Sequence, residues 1–297
     1  MTEVVFLGSG SAVPTARRNH PGIFLKYKNE NLLFDCGEGI QRQFRKAHLN
    51  PCKLTKIFIS HWHGDHVLGI PGLLYTLALN GYTKKLEIYG PSGTKLFVKK
   101  MMDLFISQNK IEYKAIELSG GEKLDLGEFV IETLELNHGL PCLAYNFIEK
   151  DRRRIDKKKL NKLKIGNSPE LGKLSKGKDI VINGKKIKAK DLTYIEKGKK
   201  ISIVMDTLYN SKIVKFVKNA ELLIFESTYL DEEELAKEHK HMTMLQSTDI
   251  AKKAGVDKLI LMHLSQRYEK FGKEFLKQAK KKFKNVLIAQ DLDKFEV

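Results

Sequence analysis

The chain has few cysteines and no long apolar run. Its 297 residues include three cysteines, Cys36, Cys52 and Cys142. That number is odd and the spacing is not that of a metal-binding pair, so free thiols in a reducing cytoplasm are expected rather than a disulfide framework. No stretch approaches the roughly 20 apolar residues that span a bilayer. The sequence runs straight into Val4-Val5-Phe6-Leu7 with no signal-peptide core, so a cytoplasmic protein with no membrane partner is expected. Acidic residues are scarce in one place. From Lys150 to Lys200 there are 6 Asp and Glu against 19 Lys and Arg, which puts +13 of the formal +17 into one sixth of the chain. Basic charge so concentrated indicates a polyanionic partner.

Outside that stretch, short apolar segments alternate with helical patterns. Strands are expected at Val4–Leu7, Ile23–Tyr27, Asn31–Phe34, Lys56–Ile59, Leu86–Tyr89, Phe129–Leu134, Leu143–Ile148, Ile201–Met205, Leu222–Phe225, Leu259–Met262 and Val286–Ala289. Helices are expected at Ile40–Ala47, Pro71–Leu79, Gly93–Ser107, Lys212–Lys218, Thr248–Ala254 and Phe271–Phe283. The alternation indicates a layered α/β protein. Residues 150–200 break it with Gly166-Asn167-Ser168-Pro169, Leu171-Gly172-Lys173, Lys176-Gly177-Lys178 and Asn183-Gly184. With few large apolar groups, this segment is expected to have no core of its own and to form an arm inserted into one domain spanning 1–297. A disordered linker is the alternative; the plausible hairpin Ile180–Ile187 argues against complete disorder.

Chemistry concentrates in Ser60-His61-Trp62-His63-Gly64-Asp65-His66, straight after the apolar run Ile57-Phe58-Ile59. A third of the nine histidines lie here. Imidazole and carboxylate are the ligand set for zinc and similar divalent ions, so the loop can serve one metal position or two adjacent ones. Other strands also end on candidate ligands: Thr133–Asn137 leads to His138, Ile201–Met205 to Asp206, and Leu259–Met262 to His263. Each alone is more often structural; together with the loop they form a set that chance rarely assembles.

His61-Trp62-His63-Gly64-Asp65-His66, with His138, Asp206 and His263 following in order, resembles the metallo-β-lactamase superfamily over the whole chain outside residues 150–200. The resemblance implies a four-layer αβ/βα sandwich with a protruding basic arm and two zinc ions per subunit. His61, His63 and His138 would hold one zinc; Asp65, His66 and His263 would hold the other; Asp206 would bridge both. Asp65 would also accept a proton from the attacking water. Other segments resemble one branch, the short-form ribonuclease Z family of tRNA 3′-processing endonucleases. They are Phe6-Leu7-Gly8-Ser9-Gly10-Ser11-Ala12-Val13-Pro14-Thr15 and the more specific Phe34-Asp35-Cys36-Gly37-Glu38-Gly39-Ile40-Gln41-Arg42-Gln43. Asp35 is either a partner that orients a zinc histidine or a turn carboxylate.

The clearest branch markers are Glu226-Ser227-Thr228 and His241-Met242-Thr243. The resemblance implies that Glu226 orients His241 and that His241 protonates the leaving 3′ oxygen, with Thr243 at the substrate. It also implies that an arm containing Lys173, Lys176 and Lys178 grips the body of precursor tRNA, and that the protein is a homodimer. The expected activity is zinc-dependent cleavage of precursor tRNA, leaving a tRNA 3′-hydroxyl and a 5′-phosphorylated trailer. Two alternatives stay open: a phosphodiesterase of the same superfamily acting on small or cyclic nucleotides, and a metal-bearing RNA-binding protein with little catalysis.

Overall fold

The computed structural model describes residues 1–104, 111–163, 168–182 and 185–297. Two seven-stranded sheets dominate it. The first runs in the order Lys294–Glu296, Thr2–Gly8, Gly22–Tyr27, Glu30–Phe34, Lys56–Phe58, Leu86–Gly90, Tyr113–Glu117. The second runs Val286–Ile288, Lys258–Met262, Leu222–Glu226, Lys200–Val204, Leu143–Glu149, Phe129–Glu135, Lys123–Asp125. All eleven expected strands are present. The strands that periodicity missed in these sheets are Lys294–Glu296, Tyr113–Glu117 and Lys123–Asp125, each at a sheet edge. Edge strands are half solvated and carry charged residues, so they lack the apolar signal of central strands.

Side chains alternate across each strand, and this builds the layers. In the first sheet, Val5, Leu7, Phe24, Leu33, Ile57, Ile59 and Ile88 join one core with Ile40, Phe44, Leu73, Leu77 and Val98. The latter come from the helices Ile40–Lys46, Gly69–Leu79 and Thr94–Asp103. In the second, Val204, Leu223, Phe225, Leu259 and Leu261 pack with Ile213, Ile250, Ala251, Phe275 and Ala279. Those belong to Ser211–Phe216, Met244–Ala254 and Gly272–Lys282. The opposite faces of the two sheets meet through aromatic rings: Tyr27 with Phe147 at 5.3 Å, Phe34 with Tyr145 at 5.8 Å and Phe58 with Tyr145 at 5.5 Å. Tyr145 Oη, buried there, donates to Ile59 O at 2.7 Å. Helix, sheet, sheet and helix thus give the four expected layers. The expected helix Gly93–Ser107 is observed as Thr94–Asp103; its last residues, 105–107, lie outside the described residues. Among the described residues no helix is long and apolar enough to cross a membrane.

The chain divides into two compact units. One comprises Met1–Leu124, Ile131–Phe147 and Lys200–Val297; the other comprises Asp125–Val130 and Ile148–Lys199. The second corrects an expectation: residues 150–200 do build a small core. Leu160, Leu171, Leu174, Ile180, Ala189 and Leu192 are buried together, with Ile155, Ile182 and Ile187 against them. Burying one such Leu or Ile is worth about 1.5–3 kcal/mol. Arg152–Ile155 pairs antiparallel with Thr193–Glu196, and Ile180–Ile182 pairs with Lys185–Ile187 as the expected hairpin. Its turn, Asn183-Gly184, lies outside the described residues, as does the Gly166-Asn167 start of the arm match. Sequence periodicity missed this core because its elements are three to six residues long, too short for a period to register.

Candidate metal centre

The second sheet brings three donors to one edge. Lys200–Val204, Leu222–Glu226 and Lys258–Met262 are parallel and in register, with Val204 beside Phe225 and Phe225 beside Leu261. Their carboxyl ends therefore carry Asp206, Glu226 and His263 side by side, where ligands gather in open parallel sheets. Phe129–Glu135 ends just before His138. In the first sheet Lys56–Phe58 runs into the Ser60–His66 loop, and Leu143 N donates to Ser60 O at 2.9 Å, tying that loop to the second sheet.

All seven expected ligands converge. His61, His63, His138 and Asp206 form one group and Asp65, His66 and His263 a second. In the first, His63 Nδ1 lies 3.0 Å from His61 Nε2 and 3.1 Å from His138 Nε2. Asp206 Oδ2 stands 3.6 Å from both Nε2 atoms. In the second, His66 Nε2 is 3.2 Å from His263 Nε2 and 3.3 Å from Asp65 Oδ2. Asp206 faces this group as well, Oδ2 at 3.5 Å from His66 Nε2 and Oδ1 at 3.3 Å from His263 Nε2. Tetrahedral zinc with bonds of about 2.0–2.1 Å sets its ligand atoms about 3.3–3.4 Å apart, so both groups have the spacing of a metal site. Asp206 Oδ1 is a buried oxygen that accepts no hydrogen bond, as a carboxylate reserved for a cation would be.

Electrostatics agree. Burial holds His61, His63 and His138 below the ordinary imidazole range, which keeps them neutral and able to donate a lone pair. His66 goes the other way: burial would lower it, but Asp206, Asp35 and Asp65 around it push it well up. Burial likewise opposes the ionisation of Asp65 and Asp206, yet the neighbouring histidines keep both far below the usual carboxylate range. Three carboxylates around one imidazole demand positive charge, and the donor set fits a pair of divalent ions.

The outer ring nitrogens of His61, His66, His138 and His263 are held from outside, as ligating histidines require. Asp35 makes a contact of each expected kind. Its Oδ1 accepts from Ser60 N at 2.7 Å, as a turn carboxylate, and its Oδ2 lies 2.7 Å from His66 Nδ1. His61 Nδ1 is 3.0 Å from Ser60 Oγ, and His138 Nδ1 donates to Lys240 O at 2.7 Å. His263 Nδ1 is 2.9 Å from Thr228 Oγ1, which donates to Glu226 Oε2 at 2.6 Å. Ser60 and Thr228 were missed as orienting groups, although both lie inside motifs read for other residues. The carbonyl of Lys240 has no sequence signal at all.

His241 stands beside this cluster, its Nδ1 3.1 Å from Glu226 Oε2 and 3.9 Å from Asp206 Oδ2. Burial would lower its pKa, but Glu226 and Asp206 raise it to about 9. Glu226 is fully buried and also accepts Thr207 N at 2.6 Å, so its orientation is set by the fold. Thr243, expected at the substrate, is buried; its Oγ1 accepts Gln246 N at 3.2 Å and N-caps Met244–Ala254. That capping box fixes the loop carrying His241. In the second unit Lys173, Lys176 and Lys178 are exposed, and Lys173 Nζ pairs with Glu170 Oε2 at 2.6 Å.

Solved structures with this architecture carry the metallo-β-lactamase fold. The metallo-β-lactamase fold protein YhfI from Bacillus subtilis is 22% identical, with a TM-score of 0.72 over 100% of this chain and 99% of its own. Human tRNase Z, short form, is 29% identical, with a TM-score of 0.70 over 99% of each chain. A family model described as anti-Pycsar protein Apyc1 matches residues 2–130. Proteins named Ribonuclease Z match throughout. That of Nanoarchaeum equitans is 37% identical over 99% of this chain and 92% of its own, and that of Listeria monocytogenes is 40% identical over 99% of each. The protein belongs to the ribonuclease Z family.

Proposed function

We propose that this protein is a zinc-dependent endoribonuclease that removes the 3′ trailer from precursor tRNA, cutting just after the discriminator region. The observation that carries this reading is His241, paired with Glu226, set against a cluster of seven donors. Family membership supports it. Two bound zinc ions would supply hydroxide at neutral pH and neutralise a phosphodiester. His61, His63 and His138 would hold one ion and Asp65, His66 and His263 the other, with Asp206 shared between the two groups. Asp65, already ionised, takes the water proton in passing and releases it. His241 keeps Nδ1 on Glu226 and presents Nε2 to the leaving 3′ oxygen, so the tRNA departs with a 3′-hydroxyl and the trailer keeps a 5′-phosphate.

In this reading Lys173, Lys176 and Lys178 contact phosphates of the tRNA body, giving affinity without reading sequence. In the same reading the protein works in the cytoplasm as a homodimer. Incubating metal-loaded protein with precursor tRNA and resolving the products on a gel tests the activity. Hydrolysis of cyclic nucleotides without any tRNA cleavage would favour the small-nucleotide reading instead. Binding without cleavage of either would leave an RNA-binding protein.

A further inference from the structure

A pocket of about 350 Å³ opens onto His241 and is lined by Leu208, Tyr209, Glu233, Glu234 and Gln246. Its volume suits a small ligand or one part of a larger one. Leu208 lies two residues beyond Asp206 and is pinned by its N–H on Asn137 O at 2.9 Å, so the pocket begins where the donor cluster ends. Tyr209 is 44% exposed, so its ring is open to a partner from solvent. Gln246 Oε1 is taken by Thr243 N at 3.1 Å, which leaves its amide NH2 to offer. Glu233 and Glu234 stand in the lining against Lys237 and His241, so its charges balance and it holds no net positive charge to attract a phosphate. An aromatic face with carboxylate acceptors around it suits an uncharged group bearing a π-face and N–H donors, which describes a nucleobase.

We propose that this pocket receives the nucleoside on the leaving side of the cut, with its base stacked on Tyr209 and its amino or imino N–H groups facing Glu233 and Glu234. The inference rests on the tRNA-processing reading. A leaving 3′ oxygen protonated by His241 belongs to the last nucleotide of the tRNA. Its ribose is therefore within hydrogen-bond reach of His241, and its base extends into the space beyond. No base-specific bond is needed for affinity, because stacking tolerates every base; the two carboxylates add a preference for bases rich in N–H donors.

The test uses the metal-loaded full chain and precursor tRNAs carrying A, G, C, U or an abasic residue just before the cut, with kcat and KM measured separately. Wild type should lose about 5- to 150-fold in kcat/KM on the abasic RNA, the range of one stacking contact. Tyr209→Ala should show the same loss on base-bearing RNAs and little further loss on the abasic one, while Tyr209→Phe recovers most of it. Equal effects of Tyr209→Ala on abasic and base-bearing RNAs, or no effect on either, would overturn the pocket assignment and leave the tRNA-processing reading intact. Failure of wild type to cleave any of the five RNAs would overturn both.

Discussion

Replacing Asp35 by asparagine keeps the shape of the side chain and removes one acceptor. Asp35 is buried at a positive φ of 57°, a conformation asparagine also adopts, so the backbone has no reason to move. The carboxylate accepts Ser60 N at 2.7 Å, Ser60 Oγ at 2.8 Å and the His66 Nδ1 proton at 2.7 Å. An amide placed there must turn its NH2 toward either the Ser60 N–H or the His66 N–H, setting donor against donor. The lost bond and the buried donor left without a partner cost about 1–3 kcal/mol. Part of that falls on the orientation of His66, and the loss of an outer partner of this kind weakens metal affinity by about 10- to 100-fold. Zinc titration against a competing fluorescent chelator should show one ion released earlier than in wild type and the other weakened less, since Asp35 touches His66 directly but reaches His61 only through Ser60 Oγ. Two zinc ions held at wild-type affinity would refute the reasoning.

Asp65→Ala should lower cleavage by about 100-fold or more while filter binding shows tRNA still bound, because the variant removes both a ligand and a proton acceptor; cleavage at the wild-type rate with metal present would sink the mechanism. His241, raised to about 9, carries its proton below that pH and loses it above, so the rate should hold through neutrality and fall on the alkaline side. Glu226→Gln removes the foremost group raising it, and the alkaline limb of the pH–rate profile should move to lower pH; an unmoved limb would take His241 out of the acid role. Glu149 N donates to Lys199 O at 2.9 Å, so a short Gly-Ser link can replace residues 150–199. That variant should lose about 10-fold or more in kcat/KM on precursor tRNA, flatten the salt dependence of binding, and hydrolyse bis-p-nitrophenyl phosphate within about two-fold of wild type. Equal loss on both substrates would make the segment structural.

The central strands and the donor set were legible in the sequence for the same reason: each is a local pattern. Ile57-Phe58-Ile59 followed by His61, His63, Asp65 and His66 needs only a strand and a loop to be read, and the register of three parallel strands then places Asp206, Glu226 and His263 together. The edge strand Tyr113–Glu117 and the small core around Leu160, Leu174 and Leu192 were not legible, because their apolar residues are few and are buried by partners distant in the chain.

What the sequence determined by itself is the chemistry available: seven His and Asp side chains of metal-binding type, a histidine and a glutamate able to share a proton, and a basic segment. Tertiary structure alone decided how each group is held. Thr228 Oγ1 sits 2.9 Å from His263 Nδ1 and 3.2 Å from His241 Nδ1, and the carbonyl of Lys240 lies 2.7 Å from His138 Nδ1. Thr243 is turned into a helix cap and Tyr209 lines a pocket beside His241. Residue type and spacing say what a side chain can bind. Which hydrogen bond it makes depends on neighbours that only the packed fold brings within 3 Å, and those are separated in the chain by tens to hundreds of residues.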